Sequence, residues 1–154
     1  MASDFIKNIY LFKEFNHDEL KQIAHIVKSE VYNTGDEIFS QSDKANSLYV
    51  IKMGTIKLQQ KGKGGENIYL TTLGSGSHFG EMSLLDNETR STTASAVERT
   101  EILRIEYTQL KEILEGHPAI SVKFYKALAS FLCGRLRVTT LDLSFVREKN
   151  LKHF

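Results

Sequence analysis

The chain has 154 residues with 20 basic and 19 acidic side chains, a net charge of +1 and one cysteine. That length suits one domain with a real core, and so balanced a charge supplies no field for gripping nucleic acid. A lone Cys133 excludes an internal disulfide framework and fits a reducing cytoplasm, while no stretch of 18 apolar residues suggests a membrane span and the N-terminus does not read as a signal peptide. In chain order, residues 1–33 read as an N-terminal helical segment. Asn16 can cap a helix, Glu19 stands three residues on as its capping-box partner, and Phe15 precedes them as a staple. Leu20, Ile23, Ala24 and Val27 then recur at three and four, so one helix face must be buried.

From Thr34 to about residue 106 the pattern changes to short runs of β-formers between turn residues: 37–39, 47–52, 55–59, 67–73, 92–97 and 100–105. About eight short strands in some 70 residues point to a double sheet or barrel, with a jelly roll as the best single guess. The fold class is therefore mainly β with flanking α: a jelly-roll barrel with an N-terminal helix and a long C-terminal helix. Lys61-Gly62-Lys63-Gly64 reads as a hairpin tip with solvated lysines.

Residues 107–154 read as C-terminal helices. Tyr107 to Glu115 is a short amphipathic segment closed by Gly116, and Pro118 suits the first turn of a helix running to about Lys149. One stripe of that helix, Ile120, Phe124, Leu128 and Phe131, is expected to pack on the chain's own β-domain. The other, Ala129, Leu132, Leu136, Thr139, Leu143 and Val146, has the spacing of a coiled-coil seam. Gly134 marks a bend or a close approach in the helix interior.

The chemistry concentrates between Gly74 and Ala96. If Glu81 opens a short helix, the amides of Met82 and Ser83 lack helical acceptors and face an anion favourably. Arg90 supplies a planar, always charged fork for phosphate oxygens, with the Ser91 hydroxyl and amide beside it. Glu81 would not touch an anion, so it needs a donor such as a sugar hydroxyl. A glutamate and an arginine nine apart are equally the makings of a salt bridge. His78 adjoins this stretch as a solvated loop side chain. The five histidines lack metal-site spacing, and Gly74-Ser75-Gly76-Ser77-His78 lacks the last glycine of a nucleophile elbow, so an enzyme is not expected.

The run Phe79-Gly80-Glu81-Met82-Ser83-Leu84-Leu85, followed by Asp86 to Thr89 and Arg90-Ser91-Thr92-Thr93-Ala94, resembles the phosphate-binding cassette of the cyclic nucleotide-binding domain family. Gly35-Asp36, Tyr49-Val50-Ile51 and Gly54 match further family positions, and the resemblance covers nearly the whole chain. It implies that Glu81 holds the ribose 2′-hydroxyl and Arg90 the cyclic phosphate, with Gly80, Ser83 and Ser91 adding bonds. Thr89 and Thr34 stand where the family often has proline. Thr139 and Thr140 look like the pair that contacts adenine across a dimer helix in bacterial cAMP receptor proteins, which implies cAMP as ligand, with cGMP as second choice; Ser91 does not decide the base. The expectation is a single domain, a cytoplasmic sensor that forms a homodimer through the C-terminal helix and signals to an unknown effector. Only 14 residues follow Thr140, so no DNA-binding module, nucleic-acid partner or membrane partner is expected. The other reading is a ligand-free structural or protein-interaction module of the same fold.

Overall fold

A computed structural model describes residues 2–151. Met1 and residues 152–154, the outer ends of the first and last predicted segments, lie outside the described residues.

The N-terminal signature forms as its residue types dictate. After helix α1 (Ala2–Ile6) and a 3-10 turn (Tyr10–Phe12), helix α2 spans His17–Ile26. Asn16 Oδ1 accepts from the Glu19 amide at 2.9 Å, and the Glu19 carboxylate accepts from the Asn16 amide at 2.8 Å. Glu19 also receives the Lys123 ammonium at 2.6 Å, tying this cap to the long C-terminal helix. Hydrogen bonding from Asn16 and the Lys123 charge hold its carboxyl below the usual range, against the opposing effect of desolvation, the largest single influence.

The helical reading of residues 1–33 needs a correction. The helix stops at Ile26, and Val27–Tyr32 is strand β1, with Val27 already extended at φ −76° and ψ 131°. The reason is a partner far along the chain: β1 pairs antiparallel with β8 (Thr100–Glu106), from Val27 opposite Ile105 to Tyr32 opposite Thr100. Those backbone bonds outweigh the three-and-four spacing that carries Val27 into α2 on paper.

The remaining strands are β2 (Glu37–Phe39), β3 (Ser47–Met53), β4 (Ile56–Lys61), β5 (Asn67–Leu73), β6 (His78–Phe79) and β7 (Thr93–Ala96). All strand pairs are antiparallel, in two sheets ordered β1-β8-β3-β6 and β2-β7-β4-β5, the jelly-roll arrangement expected. Strands β3 and β8 are covered on both faces, which explains the unbroken apolar run from Leu48 to Ile51. Leu48, Val50, Leu103 and Ile105 turn to the helices, whereas Tyr49, Ile51 and Ile102 turn to the second sheet. Strand β5 lies at an edge instead, with Ile68, Tyr69 and Leu70 exposed. At the β3–β4 turn Gly54 has φ +109°, and a Cβ there would stand 2.7 Å from the Thr100 backbone, so glycine is required.

Helix α4 (Tyr107–Gly116) and helix α5 (Pro118–Leu151) follow, with proline at the first position of α5. At 34 residues α5 is about 50 Å long. Its first stripe is buried, but chiefly against the 3-10 turn and α4 rather than the sheets: Ile120, Phe124 and Leu128 lie with Phe12, Leu110 and Leu114, the rings of Phe12 and Phe124 stack at 6.1 Å, and Phe131 meets the His78 ring of β6. Its second stripe is half-buried at Leu132 and exposed from Leu136 on. No helix among the described residues is long and apolar enough to cross a membrane.

Candidate functional site

The site is built by a loop that leaves the first sheet and returns to the second. Phe79 anchors its start: it pairs with Tyr49 across β3 and β6, and the two rings stack at 5.2 Å. The chain then turns at Gly80, with φ +84°. A Cβ on Gly80 would sit 2.8 Å from Arg90 Nη1 and 3.2 Å from the Ser47 carbonyl oxygen, so only glycine lets the arginine lie flat against this turn. Glu81 precedes helix α3 (Met82–Asp86), and Leu84 pins that helix to the core while Met82 and Leu85 stay exposed. Asn87, left-handed at φ 58°, ends it by donating its amide to the Ser83 carbonyl. Arg90 is then clamped by two backbone bonds, its amide donating to Asp43 O and its carbonyl accepting from the Ser42 amide, both at 2.8 Å.

The side chain of Arg90 is only 5% exposed. Nη2 donates to the Ser47 carbonyl at 2.6 Å, and Nη1 donates to the Gly80 carbonyl at 3.2 Å and to the Tyr107 hydroxyl at 3.1 Å. The guanidinium also lies over the Phe39 ring, 4.1 Å from its centroid. Every one of these partners is neutral, and Nε has no hydrogen-bond partner among the described residues. Tyr107 completes the cradle by donating its own hydroxyl to the Gly80 carbonyl. Burial pushes the Tyr49 and Tyr107 phenols up, with the Arg90 charge opposing it, so Tyr107 keeps its proton as a donor.

Glu81 is buried more deeply, at 2% exposure, and does not pair with Arg90. Its Oε1 lies 3.7 Å from Arg135 Nη1 on α5, and its Oε2 lies 3.5 Å from His78 Nδ1. The salt bridge that sequence spacing allowed between Glu81 and Arg90 is thus replaced by two separate charges facing one pocket. That pocket is partly open, with a cavity volume of about 60 Å³. Gly80, Glu81, Met82, Ser83, Arg90 and Ser91 all line it, with Phe39, Leu58 and Phe79 as an apolar wall and Arg135 closing one side.

Two side chains, Arg135 and Tyr107, enter the site without having been singled out, and the solvated reading of His78 needs a correction. Arg135 reaches Glu81 from one helical turn before Thr139, Tyr107 braces Arg90 from the first residue of α4, and His78 is buried at 4% rather than solvated. Arg135 stands four residues before Thr139 in the sequence, close to the pair read as the base contact; Tyr107 carried no local signal. Thr139 and Thr140 are placed elsewhere. Both are exposed on α5, Thr140 donates its hydroxyl to the Leu136 carbonyl at 2.8 Å, and it lines a separate groove with Leu143 and Arg147. Within one chain they do not meet the pocket of Arg90. No group of three or more potential metal-ligating side chains is found among the described residues.

A buried cation with neutral partners, beside a buried carboxylate whose contacts to Arg135 and His78 are long, suits a ligand that carries an anion and hydroxyl donors together. Comparison with known proteins agrees with that class. The family model for the cyclic nucleotide-binding domain matches residues 29–117, more than half of the chain. The Cyclic AMP receptor protein of Thermus thermophilus is 33% identical over 148 residues, covering 94% of this chain and 67% of that protein. Cyclic GMP-binding protein C of Dictyostelium discoideum is 34% identical over 119 residues, covering 77% of this chain and 4% of that protein. The crystal structure of the Thermus thermophilus Catabolite Activator Protein superimposes with a TM-score of 0.78 at 33% identity, over 89% of this chain and 62% of that one. The chain belongs to the cyclic nucleotide-binding domain family, and it spans about two thirds of the first of these relatives and a small part of the second.

Proposed function

We propose that this chain is a non-enzymatic cytoplasmic sensor of a cyclic nucleotide, with cAMP as its ligand and cGMP as second choice. The observation that carries the reading is Arg90. A guanidinium 5% exposed and held only by neutral oxygens is an expensive arrangement unless an anion completes it. A cyclic phosphate supplies that anion, and the loop has an unused Nε and the amides of Met82 and Ser83 at hand. Glu81 accepts from the ribose 2′-hydroxyl, with Gly80, Ser83 and Ser91 adding backbone or hydroxyl bonds. Relatives named for cAMP and for cGMP support the ligand class and divide on the base.

The ligand acts on α5 through Glu81. A hydroxyl that takes this carboxylate changes the contact Arg135 makes with it, and the equilibrium position of the helix shifts with the difference in affinity between the two arrangements. The exposed apolar half of α5 supports a homodimer, in which Thr139 and Thr140 of the second copy reach the base. The signal then passes to an effector through the helix. Calorimetric titration with cAMP and cGMP is expected to give saturable binding below millimolar, and Arg90→Ala to weaken it by about 2–5 kcal/mol. Failure of both nucleotides to bind below millimolar would leave a ligand-free module of the same fold.

A further inference from the structure

The cluster around Glu81 contains a polar side chain to which the proposed function gives no task. His78 is 4% exposed, and its ring lies 4.2 Å, centroid to centroid, from that of Phe131 on α5. Its backbone is fixed on the first sheet, where His78 stands opposite Val50. Nδ1 lies 3.5 Å from Glu81 Oε2, and among the described residues neither ring nitrogen nor that oxygen has a hydrogen-bond partner. Two polar groups, each more than nine-tenths buried, therefore face each other alone.

An imidazole N–H is a donor and a carboxylate oxygen an acceptor, so the two satisfy one another once a small rotation of Glu81 shortens the gap. Bonds of this kind are often long before a ligand arrives and tighten when it does. The two carboxylate oxygens consequently have different neighbours. Oε2 faces a buried histidine fixed on a strand; Oε1 faces Arg135, whose side chain is 45% exposed. The fixed donor sets the direction of the carboxylate, and the half-exposed cation leaves the other oxygen for a ligand.

We propose that His78 is a positioning residue: its imidazole, held between the Phe131 ring and the Glu81 carboxylate, turns Glu81 so that Oε1 receives the 2′-hydroxyl of the ligand. This rests on the reading of Glu81 as the ribose contact. A carboxylate held in place rejects a ligand without that hydroxyl, because its buried oxygen is then left unpaired, whereas a carboxylate free to turn away loses less.

The test is calorimetric titration of the full chain with cAMP and 2′-deoxy-cAMP, in the wild type, His78→Phe and His78→Asn. The wild type is expected to prefer cAMP. His78→Phe keeps a ring against Phe131 but has no donor, and the preference is expected to fall about tenfold. His78→Asn places a side-chain N–H near the Nδ1 position and is expected to keep the preference within about threefold. An unchanged preference in His78→Phe, or an equal fall in both variants, overturns the role of His78 while leaving Glu81 as the ribose contact. A wild type that binds cAMP without preferring it overturns both. Should His78→Phe fail to fold, nitrogen NMR of the wild-type imidazole decides: a protonated Nδ1 is expected, and a bare Nδ1 overturns the proposal.

Discussion

The two halves of α5 share one continuous helix and little else. Up to Leu132 the helix alternates covered and open positions, and Ile120, Phe124, Ala127 and Leu128 are buried in the core. From Cys133 to Leu151 every described side chain is exposed, including Leu136 at 65%, Leu141 at 70% and Phe145 at 66%. Both halves are rich in apolar residues, so hydrophobicity alone does not distinguish them. What differs is the presence of a partner: the 3-10 turn, α4 and the first sheet cover the first half, whereas among the described residues the apolar side chains of the second are left exposed and Arg135 reaches back, to Glu81. A helix of that length without tertiary contacts is marginal in water, and a run of exposed apolar side chains is unusual on a monomer. These exposed apolar side chains of the distal half are the physical basis of the proposed dimer.

The sharpest way to break this contrast is to cut a side chain from each half. Phe124→Ala removes a fully buried ring stacked on Phe12 and is expected to destabilise the fold by about 3–5 kcal/mol in urea unfolding. A loss below about 1 kcal/mol would mean that the proximal half is no better packed than the distal one. Leu136→Gln with Leu143→Gln should behave in the opposite way. Monomer stability is expected to change by no more than about 0.5 kcal/mol for each site. Association in sedimentation equilibrium is expected to weaken by about 1.5–3 kcal/mol for each leucine that the seam buries. A wild type that stays monomeric at high concentration, or a double variant that dimerises as well as the wild type, would remove the seam.

The same divide between local and distant partners governs what could be read from the residues. The Asn16–Glu19 box was legible because donor and acceptor lie three residues apart, and strands β2 and β5 because their turn residues flank them closely. The loop from Gly80 to Arg90 was legible for the same reason, since glycine, carboxylate and arginine stand within a dozen residues. Strand β1 was not: its state is decided by β8, and Val27 to Tyr32 alone are as compatible with a helix end. His78 looked like a loop residue because its burial is made by Phe131, which only the fold brings to it. Arg135 and Tyr107 were hidden likewise, each meeting the site from a different helix. Thr139 and Thr140 are a different case, because their proposed role needs a second copy of the chain.

The smallest expected effect falls at the border between the halves. Gly134 opens the distal half, and a Cβ there would meet nothing within 4 Å, so no close approach within the chain requires glycine. Gly134→Ala is accordingly expected to stabilise the helix by about 0.5–1 kcal/mol, the usual difference between glycine and alanine in a helix interior. The seam gives a second constraint. Two residues turn a helix by about 200°, so Gly134 points away from the line through Leu132 and Leu136. If that line is the contact, alanine at 134 should raise the thermal midpoint and leave the dimer constant unchanged. A weaker dimer would show that the second helix crosses over Gly134 instead, and the seam would have to be moved to the opposite face of α5.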